Sequence, residues 1–144
     1  MTKKITLVLF VLLLFFFKNF AQTNSVWEKI HLNSAGYNIV AGVEALYSLT
    51  KCNNDDVVFI KFINHNDYAV QVEWYNAVFT QDLKWIKKEN LTDKKTLTLN
   101  ANTEMQGDCS DTNTISLKIP LKDFVNDKTA FKRFSTSNLE ISKK

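Results

Sequence analysis

The chain has 144 residues, 45% of them hydrophobic, with only 3 Gly and 1 Pro. This composition supplies a hydrophobic core and excludes a disordered or low-complexity protein. The formal net charge is +3, and Lys3, Lys4 and Lys18 near the start account for all of it. The rest of the chain is neutral, so its charge gives no reason to expect nucleic acid as a partner.

Residues 1–21 predict a cleaved export signal. They begin with two lysines, continue with 13 apolar or Thr residues at positions 5–17, and end on the small residue Ala21. At about 1.5 Å per residue this run spans about 20 Å, which is short of the roughly 30 Å hydrocarbon core of a membrane. We therefore expect a mature chain of residues 22–144, a single domain with no transmembrane segment, secreted or in the periplasm. The excess of Lys over Arg and the many Asn residues suggest a bacterial source.

Cys52 and Cys109 are the two cysteines, and export would place them where disulfides persist. We predict that they pair, closing a long loop and stabilising the fold by about 4 kcal/mol in the chain-entropy model. The alternatives are a metal ligand and a reactive thiol. Neither alternative has the sequence features that usually accompany it, because there is no C-x-x-C motif and neither His is close to a Cys in sequence.

The dominant hydrophobic period is two residues, which is typical of β-strands. Residues 37–49 alternate between apolar and polar positions and predict a long, half-buried strand. Residues 57–63 are apolar at nearly every position except Lys61 and predict a central strand covered on both faces. Residues 69–79 alternate again after a polar turn, so we predict that these last two strands form a hairpin.

The rest of the chain predicts shorter elements. Residues 83–86 and 96–99 are strand candidates, and residues 100–113 have the composition of a loop. Residues 115–121 alternate, and Pro120 predicts an edge strand or the end of the strand. Further candidates are a helical turn within residues 122–130 and one or two strands in residues 131–134 and 139–141.

These elements predict an all-β fold, an antiparallel β-sandwich of about seven to eight strands. The likeness to immunoglobulin domains is architectural only. A true immunoglobulin domain has a core Trp on the strand after its first Cys and a Tyr two residues before its second Cys. In this chain Trp74 follows Cys52 by 22 residues, and the residue two before Cys109 is Gly107. Architecture of this kind says nothing about function.

Catalytic motifs are absent from the sequence. His31 and His65 are the only histidines, and there is no G-x-S-x-G, H-E-x-x-H or Gly-rich phosphate loop. We expect His65 to lie in an exposed turn and His31 in an N-terminal extension. The expected protein is not an enzyme.

The segments that flank the cysteines are rich in oxygen ligands and suggest a possible calcium site. A disulfide would bring the two segments to within roughly 10 Å of each other, and calcium takes 6–8 oxygen ligands. The alternative is a pair of solvated polar turns. The candidate ligands are Asp55, Asp56, Asp108 and Asp111.

Aromatic residues suggest a binding surface. Trp74 shares a strand face with Val70 and Val72, so we expect it in the core. Tyr75 and Trp85 are the surface candidates, and Lys87 beside Trp85 would suit an acidic glycan. Lysines of this kind are also typical of a solvated strand edge.

The functional hypothesis is a secreted or periplasmic, non-catalytic binding module that acts on a protein or glycan at the cell envelope. It needs no cofactor other than the possible calcium. The alternatives are a structural envelope protein with no small ligand and a calcium-stabilised domain of the adhesion type. An exposed aromatic patch would favour binding over a structural role.

Overall fold

A computed structural model of the chain describes residues 26–32, 35–110 and 115–144, and these form two antiparallel sheets. The predicted all-β sandwich is therefore confirmed. The predicted signal peptide, residues 1–21, lies outside the described residues. The ten described strands are β1 (Glu28–Lys29), β2 (Ile39–Val40), β3 (Val43–Cys52), β4 (Asp55–Asn64), β5 (Val70–Thr80), β6 (Trp85–Lys87), β7 (Lys95–Leu99), β8 (Glu104–Gln106), β9 (Lys118–Pro120) and β10 (Phe131–Lys143).

The strand count exceeds the seven to eight predicted because five of the ten strands are segments of two or three residues. Periodicity cannot reveal segments of that length. Short 3₁₀ helices join some of the strands, and two of them fall where the sequence predicted a helical turn. The 3₁₀ helices described are Leu91–Asp93, Ile115–Leu117, Leu121–Asp123 and Lys128–Ala130.

The first sheet is built around the hairpin of β3 and β4. These strands pair along their whole length, from Val43 opposite Asn64 to Cys52 opposite Asp55. The two-residue turn between them begins at Asn53, whose φ of 56° is a left-handed conformation that Asn tolerates well. β1 and β2 pair with the free edge of β3, and β8 and β9 with that of β4. Pro120 ends β9 at the edge of this sheet, as predicted.

The second sheet is built around β5. β10 pairs along one edge of β5, and β6 and β7 share the other edge. β10 is irregular between Ser137 and Glu140, and Asn138 there has a φ of 49°. No other strand pairs with β10 in the part of the chain that is described. A bulge in such an edge strand discourages pairing with another molecule.

The predicted hairpin between residues 57–63 and 69–79 is wrong. β4 lies in the first sheet and β5 in the second, so the chain crosses between the sheets at residues 65–69. Asn64, 1% exposed, holds this crossing. Its Nδ2 donates to the carbonyl oxygens of Tyr68 (2.8 Å) and Asn100 (2.9 Å), and its Oδ1 accepts from the backbone N–H of Asn66 (3.0 Å).

The core lies between the two sheets. Trp74 and Phe62 are fully buried there, and their ring centroids are 4.9 Å apart. Trp74 Nε1 donates to Asn76 Oδ1 at 2.9 Å, so its buried N–H is satisfied. Trp74 is thus a core residue, as predicted, and truncating such an aromatic to Ala costs about 3–5 kcal/mol.

The outer face of β4 is covered as well, which explains the apolar run at residues 57–63. Val57 and Phe59 are buried with Cys52, and Trp27 packs on them. The one charged residue in the run, Lys61, places its ammonium 4.7 Å from the centre of the Trp27 ring.

The predicted disulfide is present. Cys52, at the end of β3, is bonded to Cys109, and their Cα atoms are 5.3 Å apart. The bond fixes the loop after β8 against the β3–β4 turn. The same loop is held by Lys118, whose Nζ donates to the carbonyl oxygen of Cys109 at 3.0 Å.

Candidate binding cleft

A cavity of about 820 Å³ lies where the N-terminal segment passes beside β10. Its walls come from three parts of the fold: the segment that contains β1, the middle of β10, and the outward face of β5 and β6. Two of the three predicted binding residues, Trp85 and Lys87, line it. The other lining residues are Glu28, Lys29, His31, Leu32, Gly36, Tyr47, Ala77, Arg133, Phe134, Ser135, Thr136, Ser137 and Asn138.

Trp85 lies in the cleft because of its place in the second sheet. It pairs with Phe79 of β5, and Phe79 pairs in turn with Arg133 of β10, so the three side chains form a row across the sheet. The centroids of the Phe79 and Trp85 rings are 4.8 Å apart. The Arg133 guanidinium carbon is 4.9 Å from the centre of Phe79 and 5.4 Å from that of Trp85. Trp85 remains 44% exposed.

Tyr75, the third predicted binding residue, does not line the cleft. It lies in β5 opposite Ser137 and is partly buried. The structure therefore brings Trp85 and Lys87 together and leaves Tyr75 beside the cleft wall. Trp85 and Tyr75 do not form the contiguous exposed patch that would have separated a binding role from a structural one.

Tyr47 lies where the two sheets meet at the cleft. This residue of β3 is 2% exposed, and its Oη donates to Glu28 Oε2 of the neighbouring β1 at 2.6 Å. Its ring contacts Phe131 and Phe134 of β10, with centroids 6.2 and 6.1 Å away. Burial, followed by the hydrogen bond to the Glu28 carboxylate, raises the pKa of the Tyr47 phenol well above its ordinary value. Tyr47 therefore keeps its proton at neutral pH, its hydroxyl holds β1 on β3, and its ring packs on β10.

Hydroxyl groups of β10 contribute the polar part of the cleft wall. Ser135 Oγ donates to the backbone carbonyl of His31 at 3.2 Å, which holds the N-terminal segment beside β10. Thr136 Oγ1 and Ser137 Oγ are covered and have no hydrogen-bond partner within the described ranges. Buried hydroxyls usually have a partner, so these two are unsatisfied, but their oxygens are covered and are not presented to the cleft.

The predicted calcium ligands lie at another place, and one of them, Asp111, is outside the described residues. Asp55 faces Lys122 at 3.5 Å, and Asp56 lies 3.9 Å from Lys51 and 3.7 Å from Lys128. Asp108 accepts hydrogen bonds from the backbone and the hydroxyl of the nearby Ser110. Among the described residues no group of three or more His, Cys, Asp or Glu side chains could hold a metal ion. The calcium site stays a prediction.

The two histidines occupy different surroundings. His65 lies in the turn after β4, half exposed, with its Nε2 3.1 Å from Glu44 Oε2. His31 lines the cleft, which the sequence did not indicate, and it is its backbone carbonyl that receives the Ser135 hydroxyl.

Arg133, Tyr47 and Glu28 were not predicted as site residues. Arg133 carried one signal, because it is the single arginine of a chain with 17 lysines. Tyr47 and Glu28 carried none, because their pairing depends on strand register and the contact of Tyr47 with Phe134 depends on how the two sheets pack.

Comparison of the chain with protein families, with curated proteins and with solved structures finds no match. No helix in the described ranges has both the length and the apolar character that a membrane crossing needs.

Proposed function

We propose that this protein is an exported, non-catalytic binding module of the cell envelope and that it holds a glycan in the cleft beside β10. The observation that carries the proposal is the lining of the cleft. The exposed ring of Trp85 lies in the same cavity as the hydrogen-bonding side chains of Lys87, Arg133 and the exposed Asn138.

A sugar matches this lining chemically. A pyranose ring has an apolar C–H face that packs on an aromatic ring and a rim of hydroxyls that need hydrogen-bond partners. The cleft volume of about 820 Å³ lies within the range of small-ligand sites. A protein partner would instead need about 800 Å² of complementary surface, and a concave cleft is less suited to that.

The side chains of the cleft favour binding over catalysis. Glu28 accepts a hydrogen bond from Tyr47, and Tyr47 is buried with a raised pKa, so at neutral pH it keeps its proton and offers no phenolate to act as a base. The Ser135 hydroxyl donates to a backbone carbonyl rather than to a histidine ring, so it lacks the partner that activates a serine nucleophile.

Export is supported by the composition of residues 1–21 and by the disulfide. Disulfides persist outside the reducing cytoplasm, and the Cys52–Cys109 bond is consistent with a periplasmic or extracellular protein. A direct check is N-terminal sequencing of protein recovered from the exporting cell, for which we expect a start near Gln22.

The test of function is a glycan array followed by calorimetric titration of the best ligand. We expect Trp85→Ala to weaken binding by at least tenfold, because it removes the stacking surface. Leu91→Ala is the control, since Leu91 is 90% exposed and does not line the cleft. It should bind like the wild type.

Two results would overturn the proposal. If no glycan binds, a structural envelope role or a protein partner is favoured, and a pull-down from envelope extract distinguishes these two. If the protein shows hydrolase or transferase activity that Glu28→Gln abolishes, the module is an enzyme.

A further inference from the structure

We infer that the glycan held in the cleft is acidic and that its carboxylate or sulfate group docks on the guanidinium of Arg133. This inference rests on the proposed function and names the class of glycan.

The position of Arg133 is fixed by the two rings that it contacts. Its guanidinium lies 4.9 Å from the Phe79 centroid and 5.4 Å from the Trp85 centroid, in a row set by strand register. Contact with aromatic faces leaves the N–H groups at the edge of the guanidinium plane available. These N–H groups match the two oxygens of a carboxylate or sulfate.

Arg133 is not neutralised by the protein. None of the ion pairs among the described residues includes it. By comparison, two lysines that border β6 and β7 are paired: Lys84 Nζ is 2.7 Å from Asp82, and Lys94 Nζ is 2.8 Å from Glu73. The Arg133 guanidinium is held in place but has no carboxylate partner in the protein, so it can bind an anionic group of the ligand.

The charge of the cleft as a whole has the same sign. Lys29, Lys87 and Arg133 line it, and the one carboxylate in its wall, Glu28, is hydrogen-bonded to Tyr47. Lys87 is already paired with Glu89, 3.5 Å away and outside the lining. Arg133 is therefore the residue that we expect to bind the acidic group of the ligand. Trp85 lies next to Arg133. A sugar stacked on the Trp85 ring would therefore place an acidic substituent beside the guanidinium.

The experiment uses two matched pairs of tetrasaccharides. The first pair is oligogalacturonate and its methyl ester, in which each carboxylate charge is replaced by a small neutral ester. The second pair is a sulfated galactan fragment and its desulfated form. We expect the charged member of at least one pair to bind about 10- to 100-fold more tightly than the neutral member, as charge-assisted bidentate hydrogen bonds imply. Which pair shows the preference distinguishes carboxylate from sulfate.

Arg133→Gln should remove this preference, and Arg133→Lys should restore part of it, because Lys keeps the charge but not the planar pair of donors. Lys84→Gln is the matched control. It removes the same unit of charge from a lysine outside the cleft lining and should leave the preference unchanged. A thermal melt of each variant establishes that it is folded, and raising the salt concentration should weaken the preference of the wild type.

The outcomes separate the two proposals. Equal binding of charged and neutral members, or a preference that survives in Arg133→Gln, overturns the acidic-ligand inference while the glycan function stands. If none of the four probes binds and the array is also empty, both proposals are overturned.

Discussion

Removing one oxygen atom from the buried Tyr47 tests how β1 is held on β3 at the cleft. In Tyr47→Phe the ring keeps its contacts with Phe131 and Phe134, but Glu28 loses its donor. Because Glu28 is exposed, water replaces the lost donor there, and the cost is that of one hydrogen bond to a charged group. We expect the free energy of unfolding at pH 7 to fall by about 1–3 kcal/mol.

The same variant should change how stability depends on pH. Burial and the Glu28 carboxylate raise the pKa of Tyr47 in the folded protein, whereas in the unfolded chain the phenol ionises near pH 10. Above that pH the folded state binds more protons than the unfolded state, so stability is complete below about pH 10 and decreases as pH rises. For one such group the loss is about 1.4 kcal/mol at pH 11.

Urea denaturation at pH 7 and pH 11, followed by Trp fluorescence, measures this effect. Lysines titrate in the wild type and in Tyr47→Phe alike, so their effect on the unfolding free energy cancels when the two proteins are compared at the same pH. We therefore expect the stability difference between the wild type and Tyr47→Phe to shrink by about 1.4 kcal/mol between the two pH values. A difference that is the same at both would refute the claim that Tyr47 is held protonated by its surroundings.

Glu28→Gln is the control, because the Gln carbonyl still accepts the hydrogen bond from Tyr47 while its charge is gone. It should cost less stability at pH 7 than Tyr47→Phe. Since burial is the larger cause of the raised pKa, this variant should keep most of the pH dependence.

Three further changes test other parts of the structure. Replacing both Cys52 and Cys109 with Ser should lower the unfolding free energy by about 2–5 kcal/mol in urea titrations, and two free thiols in unreduced protein would refute the bond. Asn64→Ala should cost about 2–4 kcal/mol, because it leaves two backbone carbonyls unsatisfied, whereas the exposed Asn126→Ala should stay within about 0.5 kcal/mol. The calcium hypothesis predicts a higher melting temperature in millimolar calcium than in EDTA and predicts that Asp56→Asn removes the difference; equal temperatures would exclude it.

The sequence predicted the class of fold and most long strands, because alternation is a local property of half-buried strands. It did not predict which strands pair. The turn at Asn53 joins β3 and β4 in one hairpin, while the longer connection after Asn64 crosses to the other sheet. At this crossing Asn64 is bonded to Asn100, which is 36 residues away, and no local pattern contains that contact.

The site was predicted in part for the same reason. Trp85 and Lys87 are neighbours in sequence, so their joint exposure could be proposed from an aromatic beside lysines. Arg133 joins them through the register of β10 on β5, across about 50 residues of chain. The contacts of the Tyr47 ring with β10 additionally need the packing of one sheet on the other, which only the folded structure supplies.

The most direct test of the binding claim is an NMR titration of ¹⁵N-labelled protein with the best glycan from the array. We expect the shifts to concentrate on the Trp85 indole and on the amides of residues 133–138, with little change at residues 53–56 and 122–128 around the acidic turn. Shifts confined to that turn, or spread evenly over the surface, would contradict the assignment of the cleft as the binding site.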